Sequence, residues 1–367
     1  MKFDIVDPKV QAKKKKAKKK EQDKMFFAMT FFLLLTLIIL VVYYMTMDSK
    51  KTVTPPAPKV IQQSRLQIVN ENSNERPLAI VIDNSIGNTY HAGLQDSYIN
   101  YEMIVEGGIT RILAIYKDKE VKLVGPVRSA RHYFLDYAMD NDAVFVHYGW
   151  SPYAKRDIKN LDINNINGMT NASAFVRDPN IEAPHNVFVS TTKLRNNFSN
   201  KGYEQESNNW KLLNYSYTDI DLAPVAQDDY LEEGVPEAKQ ANKVSMTYAS
   251  NQIRSYTYDK NNRYYLRYMN NKPQLDRATK EQLHYKNIII IKVENKTIDS
   301  AGRQELATTG TGEGFFITNG AIVPIIWTKD SRSSKMILTY TNDEEVRVND
   351  GNTFIQIVPI NSKIEFE

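Results

Sequence analysis

Hydrophobic positions along this chain fall into three regimes. The run MFFAMTFFLLLTLIILVVYYMTM, residues 25–47, is uncharged over 23 positions, and about 20 apolar residues suffice for a helix to cross the hydrocarbon core of a bilayer. From about residue 76, short apolar runs of strand length alternate with helical stretches. PLAIVIDN reads as a buried strand, and INYEMIVEGGITRILAIY as a helix or strand end, a break at Gly107–Gly108 and a second strand. In KLVGPVRSARHYFLDYAMDND, Ser129 is placed to cap a helix through Met139. DAVFVHYG is a further strand, and Ser151–Pro152 supplies an N-cap serine with proline at the first helical position of YAKRDIKNL.

Beyond about residue 240 the pattern is mostly β. VSMTYASNQIRSYTYDKNNRYYLRYMNN alternates apolar and polar positions around an Asn-rich turn, and NIIIIKV reads as a fully buried strand. In GEGFFITNGAIVPIIW, Asn319–Gly320 signals a two-residue hairpin, and two hairpin-like pairs follow in SKMILTYTNDEEVRVNDGNTFIQIVPI. The expected class is α+β: two consecutive α+β domains, the second mostly β, preceded by one transmembrane helix. The divisions drawn are a basic cytoplasmic tail at 1–24, the span at 25–47, an extended linker at 48–75, and domains at 76–220 and 221–367.

Charge sharpens this picture. Residues 1–24 carry ten lysines against four acids, a net of +6, whereas the whole chain is at +4. The remainder is therefore slightly acidic, at about −2, and the folded part gives no reason to expect a nucleic-acid binder. The lysine run at 13–20 flanks the inner end of the span, which by the positive-inside rule places the N-terminus in the cytoplasm and the bulk of the chain outside. Tyr43 and Tyr44 lie at the other end, at interface depth. The apolar stretch is long for a cleaved signal and no small-residue cleavage site follows it, so a retained single-pass anchor in the cell membrane is expected. Residues 48–75 are polar, with Pro55, Pro56 and Pro58 favouring an extended spacer. The chain has no cysteine, which excludes disulfides, thiol nucleophiles and a lipid-modified cysteine.

EGGITRILAIY, VGPVRSARHYFLDYA, FVHYGWSP and APHNVFVS, in that order, followed by GEGFFITNGAIVPIIWTK and VNDGNTFIQIVP, resemble the YerB-like family of bacterial envelope proteins. The resemblance covers about four fifths of the chain, with GPVRSAR and EGGITR its most specific parts. It implies two successive α+β domains, the N-terminal and C-terminal YerB-like domains, on the outer side of the membrane. Members are commonly lipoproteins, so the transmembrane helix here stands in for a lipid anchor. The resemblance carries no activity.

Chemistry is expected in the polar set of the first domain's motifs. Arg128 and Arg131 are three apart and, if they open a helix, share one face. Together with Arg111 and Arg177 they offer guanidinium forks suited to phosphate or carboxylate, and Ser129, His185 and Asn186 complete the candidate ligand-binding set. The alternative for these arginines is structural pairing with Glu106, Asp136 or Asp83. His147 ends a strand before a turn and helix, and with Glu106 it is the candidate acid or base. Ser129 and Ser151 are explained as caps, not nucleophiles. His91, His147 and His185 with Asp83 match no metal spacing, so neither metal nor cofactor is expected. The run TGTGEG, residues 309–314, lacks a strand–loop–helix context and is read as a turn or bulge. Glu232–Glu233 and residues 343–345 are read as solvated loop, and the 22 tyrosines as half-buried strand positions.

Two functional readings follow. In the favoured one, a non-catalytic envelope module recognises an anionic wall polymer or an envelope protein through the arginine-lined site. In the other, an enzyme acts on a phosphorylated or carboxylated envelope glycopolymer. A tail of 24 residues leaves no room for a signalling output domain.

Overall fold

The computed structural model describes residues 8–48, 66–85, 90–222 and 238–367. Most of the linker, with Pro55, Pro56 and Pro58, and the Glu232–Glu233 pair lie outside the described residues. Helix α1 (Pro8–Asp48) forms a unit of its own. Within it, Lys19–Tyr43 is long and apolar enough to cross a membrane. The described part of the expected tail and the expected span form one continuous 41-residue helix, because lysine and alanine are as helix-compatible as leucine and no breaker separates the two compositions.

The rest of the chain is a second compact unit, sheet-rich and of mixed α+β character. Strand β1 (Leu78–Asn84) is buried along its whole length. It pairs antiparallel with β3 (Thr110–Tyr116) and parallel with β4 (Val144–His147), so both of its edges are covered. Strand β2 (Ile99–Ile104) pairs with β3 on the other side, and the connection Glu106–Gly108 carries Gly107 and Gly108 at φ 66° and 73°, a region glycine enters without strain. Helix α2 (Phe134–Asp140) precedes β4, α3 (Pro152–Asn160) leads to β5 (Asn165–Asn167), and α4 is Thr191–Lys201.

The second half continues the same sheet. NIIIIKV is strand β9 (Asn287–Val293), following β6 (Lys243–Ala249), β7 (Gln252–Asp259) and β8 (Tyr264–Met269). Strands β10 (Gly310–Thr318), β11 (Ala321–Lys329), β12 (Ile337–Thr339) and β13 (Thr353–Pro359) follow. Among the described residues the large sheet runs β12-β11-β10-β9-β13-β2-β3-β1-β4-β5. Its two sequence halves join where β2 lies parallel to β13, Ile99 opposite Thr353 and Met103 opposite Ile357. β6, β7 and β8 form the core of a second sheet, whose side chains reach the first at β2 and β13: the Tyr248 hydroxyl donates to the Glu102 carbonyl at 3.0 Å.

Several local expectations hold. Asn319 and Gly320 turn β10 into β11 with Thr318 opposite Ala321, both turn residues at positive φ, as a type I′ hairpin requires. Ser151 caps α3 by accepting from the Ala154 N–H at 3.1 Å, with Pro152 in the first turn. Two expectations fail. Residues 310–314 of TGTGEG are β-strand, not a turn, since Gly312 lets the Trp327 indole lie on the backbone and Gly314 lets the Ile290 carbonyl approach. Ser129 caps no helix: α2 begins only at Phe134, and the Ser129 hydroxyl donates to the Tyr148 carbonyl at 3.0 Å.

Candidate functional site

The motifs quoted from the first half meet at one end of β1. Asp83 stands opposite Arg111 in the β1–β3 register. The segment carrying GPVRSAR lies in extended conformation between β1 and the end of β4: the Arg128 N–H donates to the Val81 carbonyl at 2.9 Å, and the Tyr148 N–H to the Arg128 carbonyl at 2.9 Å. Arg128 and Arg131 therefore do not share a helix face, since α2 begins only at Phe134. Their grouping comes from strand neighbours instead.

Two guanidinium groups converge on the Ser129 carbonyl. Arg111 donates through Nη1 to the Ser129 carbonyl. Arg131 Nη1 donates to the same oxygen at 3.3 Å and to the Ala130 carbonyl at 2.8 Å. Arg131 also grips Glu106 with both ends of its fork, Nε to Oε1 and Nη2 to Oε2, each at 2.6 Å. Arg128 lies 3.2 Å from Asp83 Oδ2 through Nε and donates from Nη1 to the Pro184 carbonyl at 3.1 Å. The carboxylates are committed: burial alone would raise Asp83 and Glu106, but Arg128 with His185, and Arg131, hold them below their ordinary values.

Arg111 differs from its neighbours. It is buried, its Nε has no hydrogen-bond partner, and no carboxylate lies within ion-pair distance among the described residues. Burial first, then the charges of Arg131 and Arg128, pull its pKa down to about 9. The APHN segment ties the rest together, one residue per partner. Pro184 accepts from Arg128, His185 Nδ1 meets Asp83 Oδ2 at 2.5 Å, and Asn186 Oδ1 accepts from Arg177 Nη1 at 2.8 Å. Arg177 lies exposed over the Tyr148 ring at 5.1 Å and donates to its hydroxyl, with no ion pair among the described residues.

His147 lies outside this cluster. Strand alternation turns it away from Tyr148, and it is fully buried, with Nδ1 2.7 Å from the Gly149 carbonyl and Nε2 3.2 Å from Asn165 Oδ1. Burial pushes its pKa down to about 4, so the ring is neutral at physiological pH. Among the described residues no three His, Asp or Glu side chains are arranged to hold a metal.

Sequence reasoning missed two polar networks. Asp136 pairs with Arg332, not with Arg128 or Arg131: Arg332 Nε reaches Asp136 Oδ1 at 2.8 Å and Nη1 reaches Asp157 Oδ2 at 2.7 Å, beside a cleft of about 390 Å³ also lined by His132 and Lys296. Glu102 takes Arg254 Nε at 2.6 Å and Arg267 Nη2 at 2.5 Å, all three side chains fully buried. Their partners lie 150 or more positions apart, beyond the reach of any spacing rule.

Residues 65–204 match the family model described as the DUF3048 N-terminal domain, and residues 244–355 match the corresponding C-terminal domain. YerB of Bacillus subtilis (strain 168), which carries the name of a lipoprotein, is 29% identical over 291 residues, 78% of this chain and 82% of its own length. The crystal structure of YerB from Bacillus subtilis aligns with a TM-score of 0.70 at 26% identity, covering 82% of this chain and 98% of that one.

Proposed function

The chain belongs to the DUF3048, or YerB-like, family, and we propose that it is a membrane-anchored envelope protein that recognises an anionic wall polymer through its arginine cluster. The lipoprotein name of the Bacillus relative supports an envelope location. So does the apolar stretch Lys19–Tyr43, which supplies an anchor without cysteine. The lysines on its N-terminal side favour an outward-facing folded part.

One observation carries the ligand class. Arg111, Arg128 and Arg131 face two carboxylates, Asp83 and Glu106, and Arg111 keeps an unpartnered Nε in a buried setting. A buried guanidinium without a counter-anion is held at a cost, and an incoming phosphate or carboxylate would relieve it with charge-assisted hydrogen bonds. Arg177, exposed and without an ion pair among the described residues, extends the positive face along the APHN segment. Neither the enclosed, neutral His147 nor the Arg131-bound Glu106 adds support for proton transfer, so the binding reading is preferred over the enzymatic one.

The test is equilibrium binding of the full chain, in detergent micelles, to poly(glycerol phosphate). Arg128→Ala with Arg177→Ala is expected to weaken binding at least tenfold without lowering the Tm by more than a few degrees. Unchanged affinity would remove the arginine cluster from recognition. The absence of native cysteine makes topology testable as well. Ser333→Cys, at an exposed position, is expected to react with an impermeant maleimide on intact cells, and protection until lysis would reverse the orientation.

A further inference from the structure

A groove of about 500 Å³ is lined by Trp150, helix α3, the stretch from Asn165 to Asn171 and the end of α4. Its floor is an indole held in place from behind, because His147 packs on Trp150 with ring centroids 5.5 Å apart and Trp150 bridges to Ala130. Lys155 and Lys159 project from one face of α3 at i and i+4, and Lys201 closes the α4 side. Among the described residues none of these three lysines makes an ion pair, although Lys155 Nζ lies over the Trp150 ring at 5.8 Å and Lys201 Nζ over the Tyr203 ring at 5.7 Å. A fourth cation, Arg156, is already committed to Asp157 at 2.6 Å. Among the described residues no carboxylate lines the groove.

Asn167 supplies a second, independent indication of a ligand. It is only 3% exposed, and its Oδ1 is fully used by the N–H groups of Gly149 and Met169, both at 3.1 Å. Its Nδ2 donates to no described residue, although the side chain lines the groove. That nitrogen is not sealed off in the core, so it is a donor open to a ligand in the groove. Beside it Asn171 spends its Nδ2 on the Asn167 carbonyl and Thr170 hydroxyl, leaving its side-chain oxygen as an acceptor facing the same space.

We infer that this groove is a separate binding site for an anionic saccharide residue. The indole suits the C–H face of a pyranose ring once the Lys155 ammonium, 5.8 Å from the ring centroid, turns to the sugar's anionic substituent; Asn167 Nδ2 offers a donor to a ring or hydroxyl oxygen, and Asn171 Oδ1 offers an acceptor to a hydroxyl. The three unpaired lysines neutralise a carboxylate or phosphate substituent. A bare polyanion would use the lysines alone, and a neutral sugar the indole and amides alone. Only a charged sugar engages every group. The inference stands independently of the arginine cluster.

The experiment compares four probes on the full-length Arg128→Ala, Arg177→Ala variant in detergent micelles, in which the arginine cluster is disabled: a hexasaccharide alternating N-acetylglucosamine with glucuronate, neutral chitohexaose, inorganic polyphosphate and a hexathymidylate. The charged hexasaccharide is expected to bind at least tenfold tighter than chitohexaose. Lys155→Gln with Lys159→Gln, both at exposed positions, should lower that affinity at least tenfold, and Trp150→Phe should lower it several-fold with the fold retained. Because the arginine cluster is already disabled in this background, the binding that remains reports the groove. Three results would overturn the inference: no effect of the lysine pair, polyphosphate binding equally well with no dependence on Trp150, or hexathymidylate binding tighter than the saccharide.

Discussion

Glu102 and Arg254 meet at 2.6 Å with neither side chain exposed, and the second oxygen of the same carboxylate takes Arg267 at 2.5 Å. Glu102 belongs to β2 of the large sheet, and both arginines belong to the second sheet, so this carboxylate holds the two layers in register. Burial alone would raise its pKa, but Arg254 and Arg267 bring it down to about 2. A carboxyl depressed from 4.5 to about 2 contributes stability that is complete above pH 4.5 and lost as pH falls toward 2. Glu102→Ala leaves two buried cations without a counter-charge and is expected to cost about 3–5 kcal/mol in urea unfolding at pH 7. A loss below about 1 kcal/mol would mean that water or other groups satisfy the arginines.

Asp140 and Lys329 form a second enclosed pair, at 2.5 Å, and here the balance tips the other way. One carboxylate oxygen of Asp140 has no partner, and burial raises its pKa to about 7 against the pull of Lys329. A carboxyl whose folded value lies above its unfolded 3.8 favours folding fully below that lower value. Its contribution then falls as pH climbs to about 7. Asp140→Asn keeps an acceptor for Lys329 and abolishes the titration. Relative to the parent, the variant should gain up to about 3 kcal/mol in unfolding free energy between pH 5 and pH 8. Parallel stability curves for the two proteins across that range would refute the assignment.

The N-cap of α3 gives a simpler case. The Ser151 side chain accepts from the Ala154 N–H at 3.1 Å in a buried setting, and α3 has only nine residues to share the loss of a cap. Ser151→Ala is expected to cost about 1 kcal/mol by thermal or urea unfolding, and Ser151→Asp to restore most of it. A neutral alanine variant would show that the helix is held by its packing alone.

Features governed by neighbouring residues were readable in the sequence, and Ser151–Pro152 and Asn319–Gly320 are the clearest. Their chemistry acts within four positions, and a turn needing positive φ at two successive residues has few sequence solutions. Ser129 shows the limit of the same reasoning. Its composition permits a cap, but the backbone at 127–130 is claimed by Val81, Tyr148 and Gly149, so no helix forms there. Arg111, Arg128 and Arg131 stand near one another in the structure, but strand pairing, not a shared helix face, brings them together. The joining of the two halves through β2 and β13, and the Glu102 network above that junction, left no local trace. A buried glutamate in INYEMI looks like any strand residue until its partners arrive from about 150 positions away.

Glu106 decides whether the arginine cluster is built for an anion or only for itself. Its carboxylate is gripped at both oxygens by Arg131, and the pair is only partly exposed. Glu106→Gln preserves shape and one acceptor while removing a negative charge, leaving Asp83 alone to face Arg111, Arg128 and Arg131. If the cluster receives an anion, inorganic sulfate should bind the full-chain variant about 3–10-fold tighter, since removing one nearby like charge from the ligand's view is worth on the order of 1 kcal/mol. The gain should shrink with added sodium chloride. A purely structural network predicts the opposite pattern, a loss of about 1–2 kcal/mol in stability from the broken ion pair with sulfate affinity unmoved. Calorimetric titration with sulfate, run beside a thermal melt of the same sample, separates the two outcomes, and tighter binding alongside a modestly lowered Tm is the result the arginine geometry predicts.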